Sequence, residues 1–211
     1  MISRFYIRLA PIMLVWLMTL SGCTRPETYN RKYYVFNARR QAEPARIQTD
    51  SILEVSRLTI DSAFSGSGLV YRIGDNEYES DFYNEFLASP SAMISDTMRN
   101  WLSRSRLFKR VLDPGSQIDP THIIEGNITA LYGDFRDASS PRAAIEMRIF
   151  LLEAKTGDEP LPVFGKTYTS SIGIKSNDPE GLVEALGRGV QTILSALEND
   201  LAERLSRESE T

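Results

Sequence analysis

The chain has 211 residues, 42% of them hydrophobic and 25% charged, with a formal net charge of −4. That length suits one domain of ordinary size with its own core, and the acidic balance argues against nucleic acid as the main partner. A single cysteine and a single histidine exclude a disulfide framework and a zinc site built on several such ligands.

The first segment reads as a secretory signal. Arg4 and Arg8 are its only charges before Cys23, and from Leu9 to Leu20 every residue but Pro11 and Thr19 is apolar. A run of about 12 apolar residues is too short to span a bilayer comfortably, which takes about 20. It ends in Leu20-Ser21-Gly22-Cys23, which resembles the lipobox of bacterial lipoproteins. That resemblance implies a diacylglycerol on the Cys23 thiol, cleavage before Cys23 and an acyl chain on the new amine, with no other cofactor. Residues 1–22 are then a signal peptide, 23–32 a lipidated N-terminus and tether, and 33–211 a single periplasmic domain. Removing the first 22 of 211 residues leaves 189, and losing Arg4 and Arg8 takes the formal charge from −4 to −6. Thr24, where enterobacterial lipoproteins retained at the inner membrane carry Asp, points to the periplasmic face of the outer membrane. The polar stretch "TRPETYNRK" reads as a tether of at most about 30 Å.

Beyond the tether, "YYVF" (33–36) predicts a first strand, and "SILEVSRLTI" (51–60) a second. "FSGSG" (64–68) is a connector. "LVYRIG" (69–74) alternates as a half-buried strand. "DNEYESDFYNEFLASP" reads as a link dense in aromatic and acidic residues. Ser89 and Pro90 mark a helix start, and Ile94, Met98, Trp101 and Leu102 form one apolar stripe ending near Arg106. "LFKRVL" is a short strand closed by the turn "DPGS". In "HIIEGNITALY", Ile124, Ile128, Ala130 and Tyr132 are expected on one face. In "AIEMRIFLLEA", Ile145, Met147, Ile149 and Leu151 share a face, and "VFGKTYTSSIGI" (163–174) completes a meander. Asp178 and Pro179 open a long helix whose stripe runs through Val183, Leu186, Val190, Ile193, Leu194, Leu197, Leu201 and Leu205. The pattern predicts an α+β fold in two layers, with a mixed, mostly antiparallel sheet and both helices on one face.

Chemistry is hard to find in these residues. His122 has no evident nucleophile or carboxylate aimed at it. "FSGSG" lacks the lysine of a phosphate-binding loop. Asp75, Glu77, Glu79, Asp81 and Glu85 do not have the spacing of a calcium loop and read as a solvated surface. No enzyme, metal site or catalytic residue is indicated, and a lipid-anchored domain of this kind is expected to act by binding.

The stretch "LVYRIGDNEYESDFYNEFLASPSAMISDTMRNWLSRSRLFKRVLDPGS" resembles the ABC-type transport auxiliary lipoprotein family, the PqiC-like group. Val70, Tyr71, Arg72, Pro90, Leu102 and Phe108 carry the match, and "EFLASP" departs from it where a tryptophan is expected. The resemblance implies an outer-membrane accessory subunit of an MCE transport system, which moves lipids or other hydrophobic molecules between two membranes. Its partners would be an MCE-domain periplasmic protein and its permease/ATPase complex. A homo-oligomer stays open. The alternative is an envelope lipoprotein that activates a cell-wall synthase or assists outer-membrane assembly. The candidate partner-binding residues are Leu69, Tyr71 and Arg72, on the wetter sheet face and its strand edge; the competing reading packs Tyr71 in the core and leaves Arg72 solvated.

Overall fold

Nine strands and two helices carry the chain from Lys32 to Glu208 in the computed structural model, which describes residues 30–41, 49–154 and 159–208. In chain order they are β1 (Lys32–Tyr34), β2 (Ile52–Val55), β3 (Thr59–Ile60), β4 (Gly68–Arg72), β5 (Tyr78–Phe86), α1 (Pro90–Ser105), β6 (Arg110–Leu112), β7 (His122–Asp134), β8 (Arg142–Glu153), β9 (Leu161–Gly173) and α2 (Pro179–Glu208). All these elements lie in one compact unit that begins at Arg31. Leu20, Ser21, Gly22 and Cys23 lie outside the described residues.

The sheet is organised around β7. Antiparallel β8 runs along one side of it for its whole length, and β9 continues the meander outward. Along its other side, β2, β3 and β4 pair with β7 in succession, all parallel. β6 extends the sheet beyond β2, while β5 and then β1 extend it beyond β4. The fold is therefore α+β with a mixed sheet, and its longest pairings are the antiparallel ones.

Period-two burial shows where the core lies. Ala143, Ile145, Met147, Ile149 and Leu151 are buried on one face of β8, against the apolar stripe of α2 from Leu182 to Leu205. Ile94, Met98, Trp101 and Leu102 of α1 join the same core. The helix starts are capped as their residues require. Ser89 Oγ accepts the Ala92 N–H at 3.3 Å, and Asp178 Oδ1 accepts the Gly181 N–H at 2.7 Å. Arg106 ends α1 in the left-handed conformation, φ 59°.

Three expectations are corrected. The single strand over 51–60 is two strands. Val55 pairs with Ile124 and Thr59 with Asn127, so the register slips by one residue at Ser56-Arg57-Leu58. The slip turns Leu58 into the core, where its N–H donates to Ser95 Oγ at 2.9 Å. In β7, Ala130 and Tyr132 do not share a face with Ile124 and Ile128. Thr129 is a bulge residue without a counterpart in β8, which reverses the alternation and buries Leu131 instead. The acidic, aromatic link is strand β5 rather than a loop.

The chain after β1 is fastened to the helices by a buried ion pair. Glu198 of α2 receives Arg40 through Nε at 2.9 Å and Nη2 at 2.7 Å, and Trp101 Nε1 of α1 donates to it at 2.7 Å. Both charged side chains are nearly buried. Removing one partner of such a pair strands the other charge away from water. Glu198→Ala should therefore cost about 3–5 kcal/mol in chemical denaturation. Adding Arg40→Met to that variant should recover part of the loss.

Candidate docking surfaces

The three residues expected to form one binding surface are divided by the sheet. β4 lies between β5 and β7, so its edges are occupied, and Leu69 is 0% exposed. Tyr71 turns to the helix-covered side, its ring edge-on to Phe135 at 5.6 Å. Arg72 points to the opposite face, because neighbouring positions of a strand cannot share one. There its guanidinium lies 5.6 Å from the centre of the Tyr78 ring and donates to the carbonyls of Gly74 and Asp75.

Tyr71 has a structural partner of its own. Its hydroxyl donates to Asp81 Oδ2 at 3.0 Å. Asp81 also accepts the backbone N–H groups of Tyr83 and Asn84, and the Asn84 side-chain amide. Burial pushes the Tyr71 phenol well above its ordinary range, and the bond to Asp81 adds to the effect. Burial also pushes the Asp81 carboxyl upward, but its hydrogen bonds from Asn84, Tyr83 and Tyr71 outweigh that and hold it below the ordinary value. The contribution of Asp81 to stability is accordingly complete at neutral pH and is lost as acid takes the solution through that lowered value.

Asp81 organises a wide bulge. Val70 pairs with Ser80 while Gly68 pairs with Glu85, so β5 holds three more residues than β4 between the two pairings. The surplus pushes Phe82 and Tyr83 outward, their rings 5.3 Å apart and edge-on. Arg31 lies over the Phe82 ring at 4.3 Å and reaches Glu85 at 3.5 Å. Beside the bulge, β1 and the two residues after it turn Tyr34 and Phe36 inward, Phe36 packing on Phe86 at 4.8 Å, and leave Tyr33 and Val35 exposed. A groove of about 620 Å³ runs between β1 and the start of α2, lined by Lys32, Tyr34, Glu180 and Val183 among others.

The sheet face away from the helices carries a second cluster. Phe64 stacks on Tyr132 at 5.7 Å, and Tyr78 meets both edge-on. Arg72 extends the cluster over Tyr78, and Arg136 bridges Asp134 and Asp75 at 2.7 and 3.0 Å beside it. The hydrogen bonds from Arg136 hold the Asp134 carboxyl below its ordinary value. The acidic residues singled out in the sequence are dispersed: Asp75 faces Arg136, Asp81 is inside the bulge, and Glu85 faces Arg31 and Ser67. Among the described residues no group of three or more His, Cys, Asp or Glu is placed to hold a metal ion, and no helix is long and apolar enough to cross a membrane. His122 is buried in β7, with Nδ1 3.0 Å from Thr121 Oγ1.

Sequence reasoning missed Tyr78 and Phe82 as exposed residues and half-buried Tyr132 as the neighbour of Tyr78 on the far face. The usable signal was Asp81 followed by Phe82-Tyr83-Asn84, an aspartate able to receive the N–H groups two and three residues on and so to hold a turn within a strand.

A family model described as the ABC-type transport auxiliary lipoprotein component matches residues 34–198. None of the curated proteins matches the sequence. Among solved structures, a Xanthomonas campestris protein of the DUF330 family superposes with a TM-score of 0.74 at 16% identity, covering 85% of this chain and 99% of that one. The hypothetical protein CT253 from Chlamydia trachomatis superposes with a TM-score of 0.52 at 9% identity, covering 74% of this chain and 99% of that one. These likenesses establish the fold.

The bulge generates a prediction. Asp81→Ala removes a charged acceptor of several hydrogen bonds, each worth about 1.5–3 kcal/mol. Amide exchange at Tyr83 and Asn84 should rise by about tenfold or more, the factor that corresponds to 1.4 kcal/mol. Exchange at Ile145 and Met147, in the centre of the sheet, should stay unchanged.

Proposed function

Because the chain belongs to the ABC-type transport auxiliary lipoprotein component family, we propose that it is the lipid-anchored accessory subunit of an ABC transporter that works with an MCE-domain protein. In this reading the system moves lipids or other hydrophobic molecules across the periplasm, and this subunit positions the machine at the outer membrane through acylated Cys23. Its contribution is docking rather than catalysis.

The observation that carries the docking role is exposed Tyr78, with half-buried Arg72 lying over its ring, on the sheet face opposite both described helices. Tyr78 is 45% exposed although it is part of an aromatic cluster with Phe64 and Tyr132. Tyrosine and arginine recur at binding hot spots because each buries a large area while still making polar contacts. Here the cluster already holds Tyr78 in place, so less side-chain freedom is lost on binding. Leu69 and Tyr71 serve the same surface from beneath, by fixing β4 and the bulge.

The test is recovery of the MCE-domain protein and permease when the tagged, lipidated chain is purified from its own membranes. Arg72→Ala with Tyr78→Ala should lower that recovery about tenfold, equivalent to 1.4 kcal/mol, while palmitate labelling and melting temperature persist. Cys23→Ser should abolish the label, since serine has no thiol to alkylate. Wild-type recovery by the folded double variant would remove this face from the docking role. Recovery of a cell-wall synthase in place of the transporter would remove the transport reading.

A further inference from the structure

The β1–β5 edge is unlike the rest of the surface. Phe82 is 62% exposed, Leu87 66%, Val35 56% and Tyr33 55%. They are neighbours: Tyr33 pairs with Glu85, the Leu87 N–H donates to the Tyr34 carbonyl, and Arg31, one residue before β1, covers the Phe82 ring. An edge strand with exposed large apolar residues invites unwanted pairing unless something covers it.

We propose that this edge is a membrane seat: Phe82, Tyr83, Leu87, Tyr33 and Val35 enter the headgroup region of the same bilayer leaflet that holds the acylated Cys23. The proposal rests on the reading of Cys23 as the acyl site and adds a second contact to it. Continuity of the chain identifies the occupant. Only eight residue steps separate Cys23 from Arg31, a reach of at most about 28 Å, and Arg31 lies directly on Phe82. The patch is thus held within about 28 Å of a lipid surface whatever path the tether takes. Its composition fits that depth. Aromatic rings with a polar end favour the interface between hydrocarbon and water, and the Arg31 and Lys32 stems can lie along the apolar groups while their charges meet phosphates. Acyl chains alone hold the protein at the membrane but leave the domain free to turn on its tether. A seat beside the point of entry restricts that turning. Asp81 holds the bulge that presents Phe82, so the seat is part of the folded body.

The test uses the full chain, expressed with acylation and reconstituted into phosphatidylethanolamine vesicles with a minor fraction of phosphatidylglycerol. With Cys23 alkylated, a new cysteine is the only free thiol. Phe82→Cys and Leu87→Cys are each labelled with an environment-sensitive dye, with Thr169→Cys on the exposed far strand β9 as the reference. Spin-labelled lipid should quench the dyes at 82 and 87 severalfold more than the dye at 169. Equal quenching at all three positions, in protein that floats with the vesicles, overturns the seat and leaves the anchor standing. A dye at 82 that is shielded without lipid quenching, and that cross-links to a second copy, assigns the edge to self-association and overturns the seat. Protein that fails to float, with dye on Cys23, overturns the anchor and the seat with it.

Discussion

Glu198 is where three distant parts of the chain meet. The residue is 9% exposed, and its carboxylate binds Arg40 from the segment after β1 and Trp101 from α1, while the rest of its helix covers the sheet. A carboxylate at that depth is tolerated only when its oxygens are matched by donors, and a fork of guanidinium nitrogens plus an indole N–H does so. The ion pair is therefore a condition on the fold. If the segment after β1 leaves the helices, Arg40 and Glu198 separate and Glu198 loses its countercharge.

The consequences reach the surfaces proposed for docking and for membrane contact. β1 is short, and among the described residues it pairs on the sheet side with β5 alone. Three residues of parallel pairing would be a weak hold on an edge strand. The chain beyond it is pressed onto α2, where the Asn37 backbone lies 3.3–3.5 Å from the point a Cβ at Gly187 would occupy. Glycine there lets strand and helix approach, and the Arg40–Glu198 pair locks the approach. The edge that displays Tyr33 and Val35 is thus fixed from behind. On the neighbouring strand, Asp81 performs the corresponding task for Phe82 and Tyr83. One apolar display is backed by a nearly buried ion pair and the other by the half-buried Asp81 network, and polar networks rigidify when fully satisfied.

Much of this was legible in the sequence where the pattern was strong and local. The alternation from Ala143 to Leu151, the stripe from Val183 to Leu205, and the Ser89-Pro90 and Asp178-Pro179 starts are each dictated by a few neighbouring residues. Elements that break their own period were not legible. β5 contains a wide bulge, so its aromatic and acidic residues show no alternation. Thr129 reverses the phase of β7 within what reads as one continuous strand. The slip at Ser56-Arg57-Leu58 divides one apolar run into two strands. Parallel pairing of β2, β3 and β4 with β7 leaves no local trace at all. Arg40 and Glu198 are 158 positions apart and carry no mutual signal in a single sequence. For the proposed docking surface, Tyr71 and Arg72 both lie on β4, but the period of two assigns them to opposite faces, and the exposed ring beside Arg72 is Tyr78.

The central claim is that one small anchored domain presents two surfaces to two different partners: a protein at Tyr78 and the bilayer at Phe82. Site-specific photo-crosslinking in living cells tests it most directly, with a photoreactive phenylalanine analogue placed at each position in turn. The account predicts an adduct with the MCE-domain protein from position 78, and an adduct with phospholipid but with no protein from position 82. The same protein adduct from both positions, or lipid captured at 78 and protein at 82, would contradict it.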